Sequence, residues 1–172
     1  AFGKLGGLGV LNLEGLWTKY DDPTGLLEEL AGIEDQVAAT RRMQELYAAP
    51  IQPELIIARM SELRAAGVPV AGALSPQTFA EFAPVSEKAG LDFFVIRGTT
   101  VSAEHVSTVS EPLNLKKFIY ELDVPVIVGG CATYQSALHL MRTGAAGVLV
   151  GFGGGATKRT RNVLGVEVPM AS

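Results

Sequence analysis

A helix-ending glycine, a short apolar strand and a glycine-rich loop follow one another without a spare residue in Gly144-Ala-Ala-Gly-Val-Leu-Val-Gly-Phe-Gly-Gly-Gly-Ala-Thr-Lys-Arg-Thr-Arg161. Gly153, Gly154 and Gly155 lack the Cβ atoms that would keep a ligand off the backbone, so their N–H groups are free to converge on an anion. Lys158, Arg159 and Arg161 add positive charge close by. Phosphate is the guest that suits such a loop, and the place directly after a Val-Leu-Val strand is where ligands bind in α/β proteins. A solvated surface loop is the plain alternative.

Composition narrows the partners. The formal net charge over the 172 residues is −4, and the basic residues after Gly155 are too few to form the stripe that tracks a nucleic-acid backbone. A small anionic ligand is expected, with no nucleic acid. No apolar run approaches the roughly 20 residues of a membrane span, so no membrane partner is expected either. The single cysteine, Cys131, excludes an internal disulfide framework and suits a reducing compartment. With no charged-then-apolar leader in the sequence, cytoplasmic localisation is the expectation.

The elements that must carry the loop recur as one unit: a polar-faced helical segment, a Gly or Asp stop, an apolar run and a glycine-containing loop. Arg64-Ala-Ala-Gly67 leads into Val68-Pro-Val-Ala-Gly-Ala-Leu74, and Glu87-Lys-Ala-Gly90 into Leu91-Asp-Phe-Phe-Val-Ile-Arg-Gly98. Glu121-Leu-Asp123 leads into Val124-Pro-Val-Ile-Val-Gly-Gly130, and Arg142-Thr-Gly144 into the strand before the loop. The apolar runs are continuous rather than alternating, as in parallel strands covered on both faces.

An earlier run, Leu8-Gly-Val-Leu11, predicts one more strand. Helices are predicted over 24–30 and 33–47, with Asp22-Pro23 as the start of the first, and a third opens at Gln52-Pro53 with Leu55, Ile56, Met60 and Leu63 at helical spacing. Five strands at about 31 residues per βα unit predict an α/β fold of the partial TIM (β/α)8 barrel type. The chain starts at Ala1 as if inside a helix and stops soon after the loop, so residues 1–172 are expected to be an internal fragment of a single catalytic-type barrel domain. A doubly wound sheet is the alternative, but Leu11-Asn-Leu-Glu14 carries no dinucleotide fingerprint.

With these pieces in order, nearly the whole chain resembles the IMP dehydrogenase/GMP reductase family, and most of all its branch without the paired regulatory CBS insert. The matching pieces are Gly6-Gly-Leu-Gly-Val-Leu11, Val70-Ala-Gly-Ala73, Val126-Ile-Val-Gly-Gly-Cys-Ala-Thr133 and Gly151-Phe-Gly-Gly-Gly155, followed by Arg161, Gly165, Val168 and Pro169. The resemblance implies barrel strands two to six and, since only Leu13 to Ile51 separates the first two, no CBS module. It implies a purine nucleoside monophosphate at the C-terminal strand ends, contacted by Gly153, Gly154, Gly155 and Ala156. It implies hydride exchange with NAD or NADP on a side formed by Arg97, Gly98, Gly129 and Gly130. Potassium at the backbone of Gly153, Gly155 and Lys158, and a homo-oligomeric complete protein, tetramer or octamer, belong to the same implication. The activity implied is IMP dehydrogenase-like, in guanine nucleotide metabolism, with GMP reductase-type activity as the alternative.

Three departures from the family pattern favour a further alternative, a non-catalytic nucleotide-binding paralogue. Lys158 stands at the position of the nucleophilic cysteine, near Thr160 and Arg161, and a protonated ammonium has no lone pair for addition to purine C2. Ala156 stands where the family has a phosphate-binding serine. Arg97 replaces the acid that ends the fourth strand, and Gly130 replaces the asparagine of the fifth-strand corner. Arg97, after Phe-Phe-Val-Ile at a strand end, is expected to bind an anion. Cys131 is expected to be a packing residue, neither His105 nor His139 is expected to be catalytic, and Asn12 and Glu14 are open between ribose contacts and a merely polar loop.

Overall fold

The repeated unit folds into a run of parallel strands. A computed structural model describes residues 2–98, 114–151, 165 and 167. In it β1 (Val10–Asn12), β2 (Ala71–Leu74), β3 (Phe93–Arg97), β4 (Val126–Cys131) and β5 (Gly147–Val150) lie side by side in chain order. Every neighbouring pair is parallel. A doubly wound sheet reverses its strand order part-way; here the order runs without reversal, as in the wall of a barrel.

β1 lies two residues later than its apolar run suggests. Its ladder begins where Val10 pairs with Ala71 and extends to Asn12 opposite Ala73. The partner strand cannot begin sooner because Pro69 has no N–H to donate. The chain start is also different from expectation, a single 3-10 turn over Phe2–Leu5 that stops before Gly6, whose φ is +84°.

The helices are α1 (Thr24–Ala31), α2 (Gln36–Tyr47), α3 (Pro53–Ala65), α4 (Phe79–Lys88), α5 (Leu115–Glu121) and α6 (Tyr134–Met141). α2 begins at Gln36 rather than Ile33 because the Asp35 carboxylate accepts the N–H groups of Val37 and Ala38 at 3.4 and 2.9 Å, an N-cap that fixes the start. Gly67, Gly90 and Gly144, the expected stops, turn the chain back toward the sheet at φ of +67°, +79° and +90°.

The two-residue period of the strands separates two faces. Leu13, Phe94, Ile96, Val126 and Val128 join Ile56, Met60, Phe79, Phe82 and Leu140 of the helices in one core. Phe79 meets Phe94 and Phe118 edge-on, with centroids 4.9 and 5.3 Å apart. The residues between them, Val10, Asn12, Ala73, Val95, Arg97, Ile127 and Leu149, fall by the two-residue period on the opposite, inner face.

The connection from β1 to β2 holds a 3-10 turn (Leu16–Thr18), α1, α2 and α3. α1 and α2 make a hairpin that buries only Leu46. Its base is tied down by Lys19 Nζ donating to the Ala49 carbonyl at 2.5 Å, by Tyr20 donating to Leu46 at 3.0 Å, and by Gln52 donating to the Lys19 carbonyl at 2.6 Å. Arg42 closes the hairpin with two bonds to Glu29, at 2.7 and 3.1 Å.

Candidate functional site

Parallel register brings the C-terminal ends of all five strands to one edge, and the polar residues of interest gather there. At the end of β1 the Asn12 side-chain oxygen accepts the Glu14 N–H at 3.2 Å. The Glu14 carboxylate reaches across to the loop after β2. One oxygen accepts the Ser75 N–H at 2.9 Å, and the other accepts the Ser75 hydroxyl at 2.8 Å and the Thr78 hydroxyl at 2.7 Å. Both oxygens are thus engaged within the chain, and Glu14 acts as a clamp between two rim loops. Ser75 and Thr78 were not singled out in the sequence; the spacing Ser75-Pro-Gln-Thr78 ahead of an apolar helix is the signal they carry.

At the end of β3, Arg97 is exposed and makes no ion pair among the described residues. It lies in register with Gly129. Gly98 donates to the Gly129 carbonyl and Gly130 donates to the Gly98 carbonyl, both at 2.9 Å, so these two amides serve the sheet rather than a ligand. A Cβ on Gly129 would lie 2.5 Å from Leu149 Cβ and 2.6 Å from its carbonyl oxygen, which makes that glycine a requirement of strand packing. Of the four residues expected on the cofactor side, Arg97 alone has a side chain beyond glycine's hydrogen.

Cys131 is fully buried in the core, as a packing residue should be. His139 lies exposed on α6, away from the strand ends. Before α6 a reciprocal cap links Thr133 and Ser136. β5 ends at Val150 and is followed by Gly151, whose N–H donates to the Cys131 carbonyl at 2.7 Å and whose φ is +87°. Gly153, Gly154, Gly155, Ala156, Lys158, Thr160 and Arg161, and also His105, lie outside the described residues. A separate cleft of about 630 Å³ between α5 and the α6–β5 turn, flanked by Lys116, Lys117 and Arg142, belongs to the helical layer and not to the strand ends.

The model of the IMP dehydrogenase/GMP reductase domain matches residues 24–172. The chain belongs to the IMP dehydrogenase/GMP reductase family. It is similar to an uncharacterized oxidoreductase of Mycobacterium bovis, with 51% identity over 176 residues that cover 99% of this chain and 47% of that protein. The inosine-5′-monophosphate dehydrogenase of Thermoplasma acidophilum is 39% identical over 83 residues, 48% of this chain and 16% of the enzyme. A crystal structure of an IMP dehydrogenase/GMP reductase-like protein from Corynebacterium glutamicum superimposes with a TM-score of 0.88 at 48% identity, over 99% of this chain and 44% of that one. The chain spans about half the length of the Mycobacterium bovis and Corynebacterium glutamicum relatives, and its five parallel strands with flanking helices are a part of the family's TIM barrel. No helix among the described residues is long and apolar enough to cross a membrane.

Proposed function

We propose that the complete protein is an oxidoreductase of purine nucleotides that exchanges hydride between IMP and a nicotinamide dinucleotide. The observation that carries this reading is the passage of β5 through Gly151, at left-handed φ, directly into the three-glycine sequence of a chain whose family is established. In this reading the amides of Gly153, Gly154, Gly155 and Ala156 hold the 5′-phosphate, and carbonyls of Gly153, Gly155 and Lys158 are the family-type position for potassium.

The inner face at the strand ends fits the phosphates of a nicotinamide dinucleotide. It presents the Arg97 guanidinium, which has no ion-pair partner among the described residues, and the small side chain of Ala73, while the Glu14 carboxylate is held by Ser75 and Thr78. Such a cofactor supplies the hydride acceptor when bound; the chain's own residues bind and orient. The complete protein acts in the cytoplasm as a homo-oligomer in this reading.

Lys158 favours a second reading, in which the barrel binds the nucleotide without the dehydrogenase step, because that step needs a thiolate to add to C2 before hydride leaves. A reductase acting on GMP is the third. Turnover assays of the complete protein with IMP and NAD⁺, and with GMP and NADPH, separate the three. Product in the first pair alone establishes the dehydrogenase, product in the second the reductase, and binding with no product in either the non-catalytic paralogue.

A further inference from the structure

Asn12 and Arg97 lie on the same face of the sheet. Leu11 and Leu13 pack toward the helices, which places Asn12 between them on the inner face, and Phe94 and Ile96 do the same for Arg97. Asn12 is level with Ala73, which is level with Val95, so Arg97 stands two strands across and one pleat further toward the mouth. With strands about 4.8 Å apart and about 3.3 Å of rise per residue, their Cα atoms are about 12 Å apart, a gap that a long guanidinium side chain and a short carboxamide close onto one group of phosphate size. The small side chain of Ala73 lies between them, and the register partner of Arg97 on the next strand is Gly129.

The two side chains offer a guanidinium and a carboxamide. The Asn12 oxygen accepts the Glu14 N–H, and its NH2 group has no hydrogen-bond partner among the described residues. The Glu14 carboxylate is turned to the loop after β2, where Ser75 and Thr78 hold both its oxygens. Arg97 has no carboxylate partner among the described residues. A phosphate, which only accepts and carries charge, matches a guanidinium with no carboxylate partner well.

We infer that Asn12 and Arg97 form a phosphate-directed subsite on the inner face of the strand ends, distinct from the three-glycine loop, which takes a phosphate of a nicotinamide dinucleotide. The inference rests on reading this mouth as a nucleotide site. Two groups of the dinucleotide share the chemistry, the 2′-phosphate of NADP⁺ and the diphosphate bridge common to NAD⁺ and NADP⁺.

Calorimetry of the complete protein with NADP⁺, NAD⁺ and IMP, on wild type, Arg97→Gln and Asn12→Asp, distinguishes them. Arg97 is exposed, so Arg97→Gln should fold normally, and Asn12→Asp keeps an oxygen for the Glu14 N–H while placing negative charge in the subsite. Loss of a charge-assisted bond should weaken binding by about tenfold to a hundredfold. If the 2′-phosphate is the guest, both variants weaken NADP⁺ and spare NAD⁺; if the bridge is, both dinucleotides weaken equally; in either case IMP is spared. Unchanged dinucleotide affinities, a wild type that binds neither dinucleotide, or an equal loss for IMP would overturn the subsite. Failure of wild type to bind IMP while the dinucleotide pattern holds would instead overturn the purine reading and leave the subsite standing.

Discussion

A thiolate adds to an electrophilic carbon because it carries an available lone pair at neutral pH, and a solvated lysine does not. With Lys158 at the family's cysteine position, the complete protein incubated with IMP and NAD⁺ should form no covalent nucleotide adduct at that residue. Intact-protein mass spectrometry checks this, and an adduct mapping to Lys158 would make it an active nucleophile. At the other end of the mouth, Glu14→Gln should destabilise the protein by about 1–3 kcal/mol, because an ionised acceptor of three hydrogen bonds becomes an amide whose NH2 faces donors. Thermal melts of the complete protein read the change. The sequence showed Glu14 only as a polar residue after a strand. Its partners stand 61 and 64 residues away, and nothing local announces a pairing that the parallel register creates.

Strands were the most legible elements, because both-face burial leaves continuous apolar runs bounded by glycine stops. Their limits were less so: the start of β1 depends on where Pro69 lets β2 begin, and the start of α2 depends on which of several polar residues turns to cap it. Close approach between strands was also invisible, since a glycine read as a ligand contact, Gly129, is needed where Leu149 passes. Gly129→Ala should therefore cost about 1–3 kcal/mol through overpacking, measured by denaturant unfolding.

The α1–α2 hairpin has its own pH response. The Arg42 guanidinium, hydrogen-bonded to Glu29, holds that carboxyl below its ordinary value of 4.5. A depressed folded value stabilises the hairpin above the ordinary value and ceases to do so as pH falls through the lowered one. Amide protection factors across residues 24–47, which correct for the intrinsic pH dependence of exchange, should be steady from neutral pH down to the ordinary carboxylate range and fall below it, and Glu29→Gln should abolish that fall.

At the scale of the molecule, β1 and β5 are the edge strands of the sheet among the described residues. Val10, Leu149 and Val150 are 43%, 40% and 48% exposed, and unpaired apolar edges of a parallel sheet invite association. Residues 1–172 produced alone should self-associate in light scattering, whereas the complete protein should give a defined oligomer; a monomeric, cooperatively melting piece would contradict this. In the proposed function the mouth of the complete barrel holds a purine nucleotide by its phosphate through the Gly153–Gly155 amides, and calorimetric titration of the complete protein with IMP and with inosine tests this. Inosine should bind at least about tenfold more weakly than IMP, and Gly154→Val should remove the difference by placing a side chain where phosphate approaches. Equal affinities for IMP and inosine in the wild type would contradict it.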